Sequence, residues 1–320
     1  MDQIVKRNDA VHSNGYCQNG KCVDIAITEH GSDFYFAICA VMGFVGLGIV
    51  AASYTRPRTD RVFFYISAAI NLTAFVAYYS MGSHLGWTPI DVEFQRSDAK
   101  VKGVNREIFY ARYIDWVITT PLLLLDLLLT AGLPWQTILW ATFLDEVMIV
   151  TGLLGALVKT SYKWGYYTIG CVAMFGVFWS LIGQGRLHAK HLGSDVSRVY
   201  FQCGILTLFV WTLYPVAWGL SEGGNVIPPD SEAIFYGVLD FIAKPIFSIA
   251  LVWGHWNIDP ARLGLKLRDY DADIAYHGNG NPGTSNGAAA DKHFEAGGTN
   301  GVTEGEAAPA PAVATQHETV

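Results

Sequence analysis

The sequence predicts an all-α membrane protein built as a bundle of seven transmembrane helices. Composition is the first reason. Of the 320 residues, 51% are hydrophobic and only 15% charged, and the mean hydropathy is +0.27. A soluble chain carries about 25% charged residues. The second reason is where the polar residues lie. The C-terminal stretch HGNGNPGTSNGAAADKHFEAGGTNG dilutes the average, so the rest of the chain is more apolar than the mean states. The third reason is spacing: apolar stretches near twenty residues long recur, and about 20 such residues cross a bilayer as a helix.

In chain order the apolar stretches run over 34–54, 62–86, 107–130, 134–158, 163–184, 197–221 and 231–256. Polar links separate them: TRPRTDR, a segment around 87–106, GLP, KTSYK, GQGRLHAKHLGSDVSR and GGNVIPPD. Pro134 stands at a helix start and Pro228-Pro229 in a link, where proline is tolerated. Pro121 and Pro215 fall inside spans, which membrane helices accept because neighbouring groups re-satisfy the freed carbonyl. No internal repeat stands out. The expected organisation is an N-terminal segment 1–33, a bundle 34–256 and a disordered tail 257–320.

Lysine and arginine set the expected orientation. Arg56, Arg58 and Arg61 lie in the first link, Arg186, Lys190 and Arg198 in the fifth, and Arg262, Lys266 and Arg268 after the last span. Seven spans put those segments on one side, read as cytoplasmic, with the N-terminus outside and the tail inside. Residues 1–33 have no apolar core of a cleavable signal peptide, so the first helix is expected to direct insertion. The net charge of −7 is spread over links and tail and points to no nucleic-acid partner. Cys39, Cys171 and Cys203 fall within spans and read as packing residues. Cys17 and Cys22, in YCQNGKC on the outer side, are as compatible with a local disulfide as with free thiols. No histidine cluster accompanies them, so no metal is expected. The sequon at Asn71 lies mid-span, out of reach of glycosylation.

Charges inside the spans carry the functional reading, because ionisable residues are costly in a bilayer and function is the better default for them. Asp115 and Asp126 are eleven residues apart, about three turns and roughly 16 Å along one face of the third helix. Arg112 lies one turn from Asp115. Asp240 and Lys244 are four apart in the seventh span, again on one face. Structural ion pairing is the plain alternative. Asp126 sits in LLLLDLLL with nothing basic on its turn, so desolvation should keep it protonated. Asp115 shares its turn with Arg112 and is expected to be ionised. Two acids driven apart by their surroundings read as proton donor and proton acceptor, with the buried lysine as relay.

RYIDWVITTPLLLLD resembles the third-helix signature of microbial (type 1) rhodopsins. WTLYPVAWGLSEG is similar to their sixth helix and VLDFIAK to the retinal-lysine motif of their seventh. The likeness covers about residues 34–256, with the motifs in order, and points to the eukaryotic, fungal or algal, proton pumps related to bacteriorhodopsin. It implies all-trans retinal bound covalently as a Schiff base to Lys244. Asp115 is then the counter-ion and proton acceptor, Asp240 the second counter-ion, Arg112 a gate and Asp126 the cytoplasmic proton donor. With Arg112 and Asp115 completing the cluster, Lys244 and Asp240 would make a neutral group of four charges.

The same matching places Trp116, Thr119, Thr120, Leu123, Met148, Gly152, Trp211, Tyr214, Pro215 and Trp218 around the chromophore. Trp211, Tyr214 and Trp218 fall at i, i+3 and i+7, one face of a helix. Gly170 and Cys171 stand where relatives often carry hydroxyls. Glu222 and Glu232 match the family's proton-release pair, with Glu222 after a segment that is one residue shorter than in archaeal relatives. Asp145 matches an acid near the retinal ring; Glu146 departs from the pattern, and adjacent helical positions diverge by about 100°. His84 reads as an interfacial residue near the outer end of the second helix.

The function expected is light-driven outward proton pumping, by a transporter and not an enzyme. A photosensory or weakly pumping rhodopsin, signalling through a partner or its tail, is the alternative; the acid at Asp126 argues against it. Chloride pumping is disfavoured by the acid at Asp115. The partners expected are a lipid bilayer, with the plasma membrane as location, and protons; a homo-oligomer, trimeric or other, is left open.

Overall fold

A computed structural model describes residues 8–18, 20–92 and 103–265 of the chain. Among them are seven helices long and apolar enough to cross a membrane: α1 Glu29–Ser53, α2 Val62–Gly82, α3 Tyr110–Thr130, α4 Trp135–Leu157, α5 Lys163–Leu192, α6 Ser194–Gly223 and α7 Pro229–His255. Their outward faces carry large apolar side chains in the open, with Phe44 81% and Trp179 78% exposed. Water would not tolerate that much apolar surface, whereas lipid does. The chain beyond residue 265, with most of the expected tail, Lys266 and Arg268, lies outside the described residues.

The helix boundaries move from the expected ones for local reasons. α1 starts five residues earlier, because the Thr28 side chain accepts the N–H of His30 as an N-cap and acidic Glu29 occupies the first turn. α3 starts later, at Tyr110, because Asn105–Ile108 is a strand. The link GQGRLHAKHLGSDVSR is helical almost throughout. Its residues are polar but mostly helix-compatible, so hydropathy reported solvent contact and not a backbone break. The break falls at Gly193, whose φ of 126° suits glycine. Three wide, π-helical turns interrupt the described spans, at Leu181–Gly185, Gly219–Gly223 and Ile242–Ile246.

One end of the bundle is closed by two antiparallel hairpins. β1 Cys17–Gln18 pairs with β2 Lys21–Cys22, and a disulfide joins Cys17 to Cys22. β3 Thr88–Asp91 pairs with β4 Asn105–Ile108, from Thr88 opposite Ile108 to Asp91 opposite Asn105. Ile25 bridges to Arg106, so the N-terminal segment lies along the second hairpin. His84 is not interfacial. It is fully buried, its Nε2 lies 2.9 Å from Glu107 Oε1, and its ring stacks on Trp87. The second strand of the hairpin, about twenty residues on, folds over it. Its φ of 55° lies in a region histidine enters more readily than most side chains.

α3 is the central helix. In its most apolar window 67% of residues are buried, against 28% for α4. The core around it has two parts. One holds Leu123, Leu124, Leu127 and Leu128 with Trp211 and Phe247. The other holds Tyr113, Trp116, Trp218 and Tyr236. A charged residue on the inner face of α3 therefore meets only other helices.

Candidate functional site

Lys244 lies in the wide turn Ile242–Ile246, which also contains Pro245. A wide turn and a proline both loosen the regular ladder, and such turns recur at functional positions. Only 1% of Lys244 is exposed. Its Nζ is 2.7 Å from Asp115 Oδ2 on α3 and 2.9 Å from Asp240 Oδ1 one turn back on α7. Asp240 also accepts the hydroxyls of Tyr78 at 2.7 Å and Tyr214 at 2.5 Å, and the indole N–H of Trp116 at 3.3 Å. Asp115 has fewer partners. Its Oδ1 accepts no hydrogen bond among the described residues, which leaves it the more open acceptor of the two. The Thr119 hydroxyl bonds the Asp115 backbone carbonyl at 2.9 Å and is not part of the pocket lining.

Arg112 corrects an expectation. It joins neither Asp115 nor Asp240, so the neutral group of four does not form. Its guanidinium bonds Glu232 Oε1 at 2.6 Å, Glu222 Oε1 at 3.1 Å and the Tyr35 hydroxyl at 2.8 Å, and covers the Tyr236 ring at 4.2 Å. Arg106, from β4, takes the other oxygen of Glu232 at 2.6 Å. Glu222 is within hydrogen-bond reach of the hydroxyls of Tyr113 and Tyr236 and, very closely, of Ser221. A polar train thus runs from the lysine toward the hairpin end. Four buried cations (Lys244, Arg112, Arg106 and Lys163, whose Nζ bonds the Glu222 carbonyl at 2.7 Å) lie along it with four carboxyls (Asp115, Asp240, Glu222, Glu232), so these formal charges balance, as a buried cluster requires. Ser221 has a single hydroxyl proton and two acceptors in reach, Glu222 and the carbonyl of Ala217.

Beside the lysine is a pocket of about 750 Å³, open space at its mouth included. Trp116, Thr120 and Leu123 of α3 form one wall and Met148 and Gly152 of α4 another. Trp211, Tyr214, Pro215 and Trp218 of α6 close it, with Gly170 and Cys171 of α5 and Lys244 itself. Trp218 is fixed by an N–H bond to the Gly152 carbonyl at 3.1 Å. Behind the wall, Asp145 is fully buried and bonds the Thr120 hydroxyl at 2.8 Å, while Glu146 points elsewhere and is partly exposed. Neither acid lines the pocket.

On the other side of Lys244, Asp126 is fully buried among the leucines of α3. Its cage is not purely apolar, because Ser67 of α2 donates to Oδ2 at 2.9 Å. Between Asp126 and the lysine, Asn71 of α2 donates to the Ser248 hydroxyl of α7 at 2.8 Å. Spacing alone marks Tyr236, which lies four residues from both Glu232 and Asp240, on the same face. Arg106, Tyr78 and Ser67 carried no such signal. Each reaches the site from an element whose packing the local pattern does not specify.

Comparison with known proteins agrees with this geometry. The bacteriorhodopsin-like protein family matches residues 30–258. The chain is 57% identical over 300 residues to the opsin-like protein carO of Fusarium fujikuroi, covering 92% of this chain and 96% of that one. It resembles the solved light-driven proton pump LR (Mac) from Leptosphaeria maculans, with a TM-score of 0.70 and 35% identity over 74% of this chain and 99% of that one. It also resembles halorhodopsin, a light-driven chloride pump, with a TM-score of 0.67 and 25% identity over 73% and 98% of the two chains. The fold alone does not choose the ion. The chain belongs to the bacteriorhodopsin-like family of microbial rhodopsins, seven-helix membrane proteins that are light-driven ion pumps and not enzymes.

Proposed function

We propose that the chain is a light-driven outward proton pump with all-trans retinal bound to Lys244. The observation that carries this reading is Lys244 Nζ held between Asp115 and Asp240, with Asp126 three turns further along α3. The pocket residues fit the chromophore. Rings of Trp116, Trp211, Tyr214 and Trp218 line an apolar space that ends at a primary amine, the group that forms an imine with an aldehyde. When bound, retinal supplies the light-driven change in geometry and proton affinity at Nζ.

The chain's own residues then divide the work. Asp115 Oδ2, at 2.7 Å from Nζ, takes the proton. Asp240, saturated by Tyr78, Tyr214 and Trp116, stays a fixed anion. Arg112 stands between this group and the Glu222–Glu232 pair, where movement of its guanidinium gates proton movement toward the hairpin end. Asp126 supplies the replacement proton to Nζ. On this reading the hairpin end faces outward and the opposite end, with Arg56, Arg61 and Arg262, faces the cytoplasm. A halide pump is disfavoured, since the carboxylate of Asp115 stands where an anion would have to sit beside the lysine.

The test is illumination of intact cells supplied with retinal while external pH is recorded. Acidification that an uncoupler abolishes is expected, and on intact cells it also tests direction and the plasma-membrane location. Absence of a light-driven pH change in a pigment that still absorbs visible light would favour a sensory role.

A further inference from the structure

The end of the bundle opposite the hairpins contains a histidine that the mechanism above does not use. His255 closes α7 and is 5% exposed. Its Nδ1 is 2.8 Å from the Leu251 carbonyl, so Nδ1 must carry a hydrogen and donate it. Its Nε2 is 3.0 Å from the Thr130 hydroxyl of α3, and that hydroxyl is 2.7 Å from the backbone carbonyl of Asp126. The ring stacks on Phe63 of α2 with centroids 4.0 Å apart.

This arrangement satisfies both protonation states without moving a heavy atom. With a neutral ring, Thr130 donates its one proton to Nε2. With a charged ring, Nε2–H donates to Thr130 Oγ1 and the hydroxyl turns to the Asp126 carbonyl. Only a hydroxyl rotor changes. Asp126 and Thr130 are four residues apart, so their side chains lie on one face about 5–6 Å apart between Cβ atoms. The same register repeats on α2, where Phe63 meets His255 and Ser67 meets Asp126. Asp126 Oδ1 is buried and has no hydrogen-bond partner among the described residues.

We infer that His255 and Thr130 form a proton-relay couple that reloads Asp126 from the end of the bundle opposite the hairpins, an inference that rests on the pump reading. The step is balanced. The Thr130 hydroxyl turns from the Asp126 carbonyl to Oδ1 and gives up its proton there while Oγ1 takes the proton of His255 Nε2; the ring and the carboxylate become neutral, and the re-formed Thr130 hydroxyl donates to Nε2. A further proton from solvent restores the charged ring. α2 presents the Phe63 ring, α3 presents Thr130 and, one turn on, Asp126. From the α1–α2 link, Arg56 covers the ring of Trp256 and bonds its carbonyl, next to His255.

The experiment compares the recovery of the flash-induced absorbance change in the full-length, retinal-loaded chain with that of His255→Gln, Thr130→Val, Asp126→Asn and the double variant His255→Gln/Asp126→Asn. His255→Gln should slow recovery by about tenfold, less than the ~10²-fold or more typical of a direct proton-transfer group. The slowing should be largest at alkaline pH, where solvent protons are scarce. The double variant should be no slower than Asp126→Asn, because a relay in series adds nothing once its receiver is gone; a merely structural role would slow the two additively. Nitrogen-15 spectra of the imidazole, assigned by difference from His255→Gln, should show the Nδ1–H tautomer in the neutral form. If His255→Gln forms no pigment, Thr130→Val takes its place, with the same slowing expected. Parent-like recovery, additive slowing or an Nε2–H tautomer overturns the relay while the pump stands. A parent pigment that moves no protons overturns both.

Discussion

Around Glu232, two arginines bind one carboxylate at 2.6 Å each, and a second glutamate and two tyrosines contact the guanidinium of one of them, Arg112. On the other side of Lys244, Asp126 has one serine hydroxyl and a wall of leucines. Both ends are buried in the same bundle, yet one is a dense ionic network and the other nearly dry. On the proposed pump reading, the contrast follows from what each end does with a proton. A network of interchangeable carboxyls and hydroxyls spreads a proton over several atoms, so that a shift of one guanidinium frees it. An acid in a largely apolar cage meets few polar neighbours and holds its proton. On the pump reading, release is built from redundancy and uptake from insulation.

Breaking the junction between the two ends should have the largest effect. Lys244→Ala removes the amine on which both converge, and visible absorbance should vanish while the bundle still inserts; a retained visible band would refute the attachment site. Asp115→Asn should follow. Loss of the acceptor at 2.7 Å from Nζ should shift the spectrum and stop light-driven acidification, measured in vesicles. Normal acidification would remove Asp115 from the path.

The insulated end is probed by Asp126→Asn. Colour should hardly change, while recovery after a flash should slow by about 10²-fold, the lower range for loss of a positioned proton donor. Added azide, a small diffusible acid, should restore part of the rate. Parent-like recovery at neutral pH would make Asp126 a passenger. The networked end is probed by Arg106→Gln, which frees one oxygen of Glu232 while Arg112 keeps the other. Stability should fall by about 3 kcal/mol, in line with removing one partner of a buried pair. Proton appearance in the medium, followed with a pH dye, should change its timing with no change in colour. Unaltered timing would confine Arg106 to a structural role.

The smallest effect concerns the rim of the hairpin end. Burial pushes the Glu107 carboxyl above its usual range, against the His84 imidazole and the Ile27 N–H, which lower it. A carboxyl that holds its proton more tightly when folded contributes stability at low pH, and that contribution is lost as pH rises from the ordinary carboxylate range through the folded value. The difference in thermal midpoint between the parent and Glu107→Gln should therefore shrink, in the parent's disfavour, as pH rises across that window. A flat difference would mean that Glu107 titrates alike in the folded and unfolded chains.

Much of this molecule was legible before any coordinate. The count and rough extent of the spans followed from runs of apolar residues, because a bilayer imposes a length on every crossing helix. Asp115 with Asp126, and Asp240 with Lys244, could be placed on shared faces, because helical geometry converts spacing into direction. Sequence also identified the family, through motifs that keep their order along the chain. Partners across helices were another matter. Spacing points Arg112 toward Asp115, one turn away, but the tertiary structure turns it to Glu222 and Glu232 on α6 and α7. His84 has an interfacial position in the sequence, but the strand Asn105–Ile108, some twenty residues downstream, covers it with Glu107. Ser67, Tyr78, Arg106 and His255 meet their partners in the same way. A residue's spacing within its own helix is set by the backbone and visible in one dimension. Which side chain it meets on another helix depends on rotation and depth of packing, and those are decided only when the whole bundle closes.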